Sequence, residues 1–376
     1  MRSNFIQIML NFAPMLLSLF FLQIIVLPDL YKINTGEYVQ FNYLLYTALM
    51  FVHVVNSANF NSSVINSKVT NKSEFDVSKF LYCGVLYSII VFYFWIFNFF
   101  SLSILIFILL LYPIDLLINF LRLVEKDKHI AIVLIQQSYI FVSSYCTSFL
   151  NVFNSYSLAN SVCLLFFIPL LSKNLNSFYI EKLSKQTADL SVLISVSIPT
   201  INRYLDKVFI LLFFSQKFVA SSFPFIAVAG LILMPMSAVS KVLVRSKGFA
   251  VSKEKIYFYI SMLYPVIFII LFGLVNLGVR LFYPSNTDFD MWVVIVICLA
   301  KALNLVELLV FSLFSSDINY ESKYTAISRF ITLAMFVFIC IGTFFNINIS
   351  DYGVFILLVY FSFSTYLLLY SVRGRN

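Results

Sequence analysis

The chain has 376 residues, of which 61% are hydrophobic and only 11% charged, with a formal net charge of +8. Soluble proteins carry about 25% charged residues, and the mean hydropathy here is +0.95, so a soluble globular domain is excluded. The apolar residues fall in runs of about 20, the length that crosses a bilayer as a helix, and not in the short alternating segments of a β-barrel. The fold class is therefore an all-α polytopic membrane protein. Its basic residues point to cytoplasmic loops, not to nucleic acid.

In chain order, the first span covers about 5–28, with Pro14 inside it as a kink point, and a polar turn, 29–37, follows. Span 2 covers 39–56 and leads into a long Asn- and Ser-rich loop, 57–78. Span 3 covers 79–99; a short turn at 101–103 opens span 4, which ends near Leu121. Span 5 covers 130–150 and span 6 covers 158–171. Span 7, 187–213, is discussed below. Span 8 covers 218–239 and span 9 covers 256–277, with the most basic loop between them. A polar turn, 280–290, precedes span 10 at 291–314; span 11 covers 325–345 and span 12 covers 352–370. The first run is too long for the core of a cleavable signal and lacks a small-residue cleavage site.

Orientation follows from the 25 Lys and Arg. With the N-terminus inside and the loops alternating, nineteen fall on the inside, and only Lys32, Lys217 and Arg280 fall outside. Arg203, Lys207 and Lys301 lie within spans. The positive-inside rule places both termini in the cytoplasm.

This orientation bears on 187–213, where two apolar runs flank a knot of charge: Asn202, Arg203, Asp206 and Lys207. Neither run alone reaches the roughly 20 residues that a span needs. The loops at 173–185 and 241–255 are both basic, so an even number of crossings joins them, and their spacing fits two. Span 8 is one, and 187–213 is the other, with the charged knot in its outer half. On a helix, Asn202, Arg203, Asp206 and Lys207 share one face with Pro199. Arg203 pairs with Asp206 at i, i+3 and repels Lys207 at i, i+4, so the face keeps a surplus positive charge. A cation in hydrocarbon costs at least ~2.5 kcal/mol unless it meets water or an anion. A structural ion pair bracing the helices is the plainer reading of the same residues. Span 10 holds a second polar set, Lys301, Asn304 and Glu307, for which an internal pair or snorkelling side chains is the plainer reading.

The remaining polar residues read as packing. Asp115 lies near the inner end of span 4 and is within reach of the interface. His53 in span 2 reads as a packed polar residue, with a proton relay as its functional alternative. The five cysteines, Cys83, Cys146, Cys163, Cys298 and Cys340, are isolated in apolar runs and read as small buried hydrophobes. Neither His53 nor His129 has metal-ligand spacing, so no metal and no catalytic residue is expected. The sequence contains no HExxH, GxSxG or Walker motif, and the outside loops are too short for a catalytic domain.

Twelve spans with a basic loop near the middle suggest two six-helix bundles around a central cavity, 1–185 and 186–376. The run Leu27-Pro28-Asp29-Leu30-Tyr31-Lys32-Ile33-Asn34-Thr35-Gly36-Glu37-Tyr38, then Pro199 with Arg203 and Asp206, then Met234-Pro235-Met236-Ser237, carry a resemblance. They resemble the polysaccharide-transporter branch of the MATE/MOP superfamily, the Wzx-type flippases of O-antigen and capsule synthesis. Thr35-Gly36 stands where that family has Leu-Gly, and the final glycine of its turn is missing. No Lys or Arg lies between Arg2 and Lys32, where such proteins often place cavity cations.

The resemblance implies a multi-pass protein of the bacterial cytoplasmic (inner) membrane that works by alternating access. Its substrate would be a polyprenyl-pyrophosphate-linked oligosaccharide, its surroundings membrane lipids, and a further partner the polymerase of the same route. On that reading Arg203, Lys207, Lys301 and Asn202 contact the substrate, Asp206 holds Arg203, and Glu307 couples transport to H+ or Na+. No other cofactor is expected. The competing reading is a membrane enzyme of the same route, an O-antigen polymerase or lipid-dependent glycosyltransferase, which would need a large or arginine-rich outside face. An ion or drug exporter of the same fold is a third; a cation exporter would favour acidic cavity residues.

Overall fold

The computed structural model describes residues 21–70, 75–97, 99–124, 145–146, 150–173, 178–179, 207, 215–245, 253–284, 291–299 and 301–302. These residues are helical apart from short connections and one pair of two-residue strands. A π-helical turn, Phe21–Val26, runs directly into α1, Leu27–Ile33, and α2 is Thr35–Thr70. Strand β1, Phe75–Asp76, precedes α3, Val77–Ile96, and α4, Leu102–Val124. Next come α5, Val152–Lys173, and strand β2, Phe178–Tyr179. The later helices are α6, Gln216–Arg245, and α7, Lys253–Phe282, followed by helical residues 291–299. The two strands pair in parallel, Phe75 opposite Phe178 and Asp76 opposite Tyr179.

Local chemistry explains where these helices begin. Pro28 lacks an N–H and crowds the carbonyl four residues back, so the widened π-turn sits just before it. In α1, Asp29 lies in the first turn and Lys32 in the last, each favourable with the helix dipole. Asn34 then caps α2: its Oδ1 accepts from the Glu37 N–H at 3.0 Å. Asn151 caps α5 in the same way, accepting from Phe153 at 2.8 Å and Asn154 at 3.2 Å. Ser215 Oγ accepts from the Phe218 N–H ahead of α6. Each such cap is worth about 1 kcal/mol.

Two expected loops are corrected. The polar turn at 29–37 is helical on both sides of Asn34, whose N–H donates to the Leu30 carbonyl at 2.8 Å and whose carbonyl accepts from the Tyr38 N–H at 3.0 Å. The loop at 57–78 is helical through Thr70, as the far end of α2. Asn and Ser disfavour helix, but extending an existing helix avoids the cost of nucleation. At 36 residues, α2 is about 54 Å long, well beyond the ~30 Å hydrocarbon core of a bilayer. Similarly, α6 and α7 absorb much of the basic loop between them, so Lys241, Arg245, Lys253 and Lys255 lie on helix ends.

The chain divides into two compact units. Unit 1 comprises residues 1–26 and 40–205; unit 2 comprises 27–39 and 206–376. The expected division after residue 185 lies outside the described residues.

In unit 1, α4 packs against α5 on one side and α3 on another. Its core is aromatic. Phe107 of α4 lies 5.6 Å from Phe41 of α2 and 5.4 Å from Phe153 of α5, with Tyr156 at 5.2 Å. Tilted and edge-on ring pairs of this kind add about 0.5–1.5 kcal/mol each beyond their buried area. Between α3 and α4, Gly84 allows Tyr112 to approach, for a Cβ there would sit 2.8 Å from the ring. Tyr87 stacks on Tyr112 at 5.5 Å, and its hydroxyl donates to the Ile108 carbonyl.

In unit 2, α6 packs against α7. Gly278 makes their contact close, since a Cβ there would meet Val228 Cγ1 at 2.6 Å. The Tyr264 hydroxyl donates to the Leu299 carbonyl at 3.3 Å, tying α7 to 291–299. Tyr31, Tyr38 and Tyr283 form a buried edge-to-face cluster with centroids 5.2–6.3 Å apart.

Both units turn apolar side chains outward. On α3, Leu81, Tyr82, Val85, Leu86, Ile89, Ile90 and Tyr93 recur at helical spacing and are all exposed. On α7, Val266, Ile269, Ile270, Leu274 and Leu277 do the same, while Leu271, Val275 and Val279 are buried on the opposite face. Exposed apolar faces of this size mark surfaces that meet lipid or another protein. Two stretches, Thr35–Asn56 and Tyr264–Phe282, are long and apolar enough to cross a membrane.

Candidate functional site

One contact in unit 1 departs from this apolar packing. The last apolar turns of the Thr35–Asn56 stretch bring His53 and Asn56, three residues apart on α2, to one face of the helix. Both reach Asp115 on α4. His53 Nε2 lies 2.8 Å from Asp115 Oδ1, and Asn56 Nδ2 donates to Asp115 Oδ2 at 2.7 Å. Nearby along the two helices, Val52 on α2 and Leu111, Ile114 and Leu117 on α4 are buried apolar residues.

The three side chains differ in access. Asn56 is fully buried, the Asp115 side chain is 11% exposed, and the His53 imidazole is 31% exposed. The imidazole is the most exposed of the three and the amide the least. A carboxylate taken out of water is costly unless it is paired and hydrogen-bonded; the imidazole and the amide supply both. Tyr112, one turn before Asp115, stacks on Tyr87 of α3.

The cluster ties α2 to α4 through two polar contacts to one carboxylate. Among the described residues, no group of three or more His, Cys, Asp or Glu side chains is placed to hold a metal ion. The described cysteines are free thiols: Cys163 and Cys298 are buried, Cys83 is half-buried, and Cys146, expected to be buried, is exposed.

Of the residues singled out from the sequence, Asn202, Arg203, Asp206, Asn304 and Glu307 lie outside the described residues. Lys207 is helical and half-buried. Lys301 is buried, only 9% exposed, in a helical stretch where Ile297, Cys298 and Ala302 are buried too. His53 and Asp115 had each been read alone as packing. A carboxylate inside an apolar run needs a partner, and one of the two imidazoles in the chain was an available one; that was the usable signal.

Comparison with known proteins finds no matching family model, no matching curated protein and no matching solved structure.

Proposed function

We propose that this chain is a flippase that carries a polyprenyl-pyrophosphate-linked oligosaccharide across the bacterial inner membrane. In this reading twelve helices form two six-helix bundles with both termini in the cytoplasm, and the substrate crosses by alternating access. The observation that carries it is Lys301. Lys301 is buried, and a pyrophosphate is an anion that pairs with lysine through charge-assisted bonds, which are strong in a low-dielectric setting. Arg203 and Lys207, with Asn202, are the further contacts to the pyrophosphate, and Asp206 holds Arg203 in place. Glu307 is assigned to ion coupling. The short outside loops and the 19-to-3 division of basic residues favour a carrier over an enzyme with an outward catalytic face.

Deleting the gene and locating lipid-linked repeat units tests the reading. The expected result is repeat units accumulating in the inner leaflet, with surface polysaccharide lost. Surface lipid capped by a single repeat unit would instead identify a polymerase. Replacing Arg203 and Lys207 together by Gln is expected to abolish surface polysaccharide; native levels would remove both from the site.

A further inference from the structure

We propose that the basic end of the α6–α7 hairpin in unit 2 binds the headgroups of anionic phospholipids in the cytoplasmic leaflet. Three observations carry it. The first is charge. From residue 241 to residue 255 the chain holds Lys241, Arg245, Lys247, Lys253 and Lys255 against a single carboxylate, Glu254. Lys247 lies in the connection, outside the described residues. The other four cations stand on helix, at the end of α6 and the start of α7. The two helices pack against each other, so these four are gathered at one end of one hairpin.

The second is the length of the outward face of α7. Its exposed apolar side chains run from Met262 through Ile269 and Leu277 to Leu281, about 28 Å along the axis. That is the ~30 Å of a hydrocarbon core, and the band overlaps the Tyr264–Phe282 stretch that is long and apolar enough to cross a membrane. Charge bounds the band on both sides: Lys255 precedes Met262, and the exposed Arg280 adjoins Leu281. A bilayer imposes such a length and such boundaries; a protein partner imposes neither.

The third is register. Val228 of α6 lies against Gly278 of α7, and packed neighbours joined by a short connection run antiparallel. From that contact Arg245 is about 26 Å along α6, and Met262 is about 24 Å back along α7. Arg245 is therefore level with the edge of the apolar band. Lys241 is about one turn inside it, a depth from which lysine snorkels to the interface. Lys253 and Lys255 stand about 10–14 Å beyond Met262. The headgroup layer fills the first ~5–8 Å outside the hydrocarbon, and the ~8 Å Debye length carries the attraction across the remainder. Tyr257 and Tyr259, between Lys255 and Met262, fall at the level where tyrosine is enriched in membrane proteins.

The cations thus step through the headgroup layer from its inner edge to its outer one. The anion at that depth is lipid phosphate. In a zwitterionic lipid the phosphate is offset by its own ammonium group; in an anionic lipid it is not, and only the second gains from the surplus charge. At the other end of the hairpin the two helices carry Lys217 and Arg280, with Asp288 and Asp290 following in the chain, so the preference is confined to one end. The proposal rests on α7 crossing a bilayer with its basic end inside, as the charge distribution directs, and not on the transport reading.

The test uses full-length protein in nanodiscs that contain phosphatidylglycerol or phosphatidylcholine with a photoactivatable headgroup, with labelled peptides mapped after illumination. Phosphatidylglycerol is expected to label the peptides of residues 241–262 at least fivefold more than phosphatidylcholine does. Each cation near a membrane surface is worth about fivefold in binding, so Lys253→Gln with Lys255→Gln is expected to remove the excess. Lys253→Arg with Lys255→Arg, which keeps the charge, is expected to retain it, and so is Lys217→Gln with Arg280→Gln at the other end. Equal labelling by the two lipids, or an excess that survives the Gln pair, overturns the proposal. Loss of the excess in the Arg pair as well would show that shape and not charge is at work, and overturns it too. Displacement of the label by water-soluble glycerol phosphate would assign the cations to a free phosphate, and crosslinks from the 262–281 face to protein instead of lipid would assign that face to a partner; either result contradicts the lipid site.

Discussion

The contact of α2 with α4 in unit 1 and that of α6 with α7 in unit 2 solve the same problem differently. Both join helices in which apolar residues predominate. In unit 2 the helices approach because Gly278 gives way to Val228, and dispersion supplies the attraction. In unit 1 the helices share a charged, hydrogen-bonded cluster. Apolar packing is the cheaper way to join helices in lipid, since a buried ion pair seldom outweighs its own desolvation. A chain that keeps the costlier contact has a use for the charge.

The comparison is broken most severely at Asp115. Asp115→Ala takes this acceptor from a half-buried imidazole and a buried amide, and stability is expected to fall by about 1–3 kcal/mol. Thermal unfolding in detergent reads this directly. Asp115→Asn, which keeps the shape and can bond both neighbours, is expected to lose clearly less. If the two variants were equally unstable, the charge-independent bonding would be wrong.

In unit 2 the corresponding change is Gly278→Leu, which forces side-chain atoms onto Val228. The expected loss is about 1–3 kcal/mol from overpacking, and adding Val228→Ala is expected to recover much of it. Failure of that second change to help would place the tight contact elsewhere. A smaller effect sharpens the account of local structure. Asn34→Ala removes the cap of α2 and is expected to cost about 1 kcal/mol, with Asn34→Asp restoring it. The mildest test lies on the outward face of α3: Ile89→Cys is expected to leave stability within about 0.5 kcal/mol of native. That thiol should react with a lipid-soluble maleimide and not with a charged one.

Much of the helical layout is legible in the sequence because it is local. The break between spans 3 and 4 and the start of a helix at residue 291 follow from composition, although the break lies at 99–101 and Leu102 and Ser103 already belong to α4. Two boundaries were not legible. Asn34 is a cap as well as a turn residue, and only the bond from the Glu37 N–H shows which role it plays. The polar half of α2 has a loop composition but inherits its helix from the residues before it. The His53–Asp115–Asn56 cluster was not legible for another reason. Asn56 and Asp115 are 59 residues apart, and no local pattern reports which of several spans will face each other. Reading each polar residue alone gave each a plain explanation; only together do they form a site. By contrast, Lys301 was singled out from the sequence because a cation in mid-span is costly wherever its partner lies; in the structure it is buried.

The transport account is tested most directly by the side of the membrane on which repeat units reside when only Lys301 is changed. Cells carrying Lys301→Gln in place of the native residue, with the protein present at native amounts, are expected to hold their lipid-linked repeat units in the inner leaflet and to lose at least tenfold of their surface polysaccharide. Repeat units reaching the outer leaflet at the native rate in that strain would contradict the account.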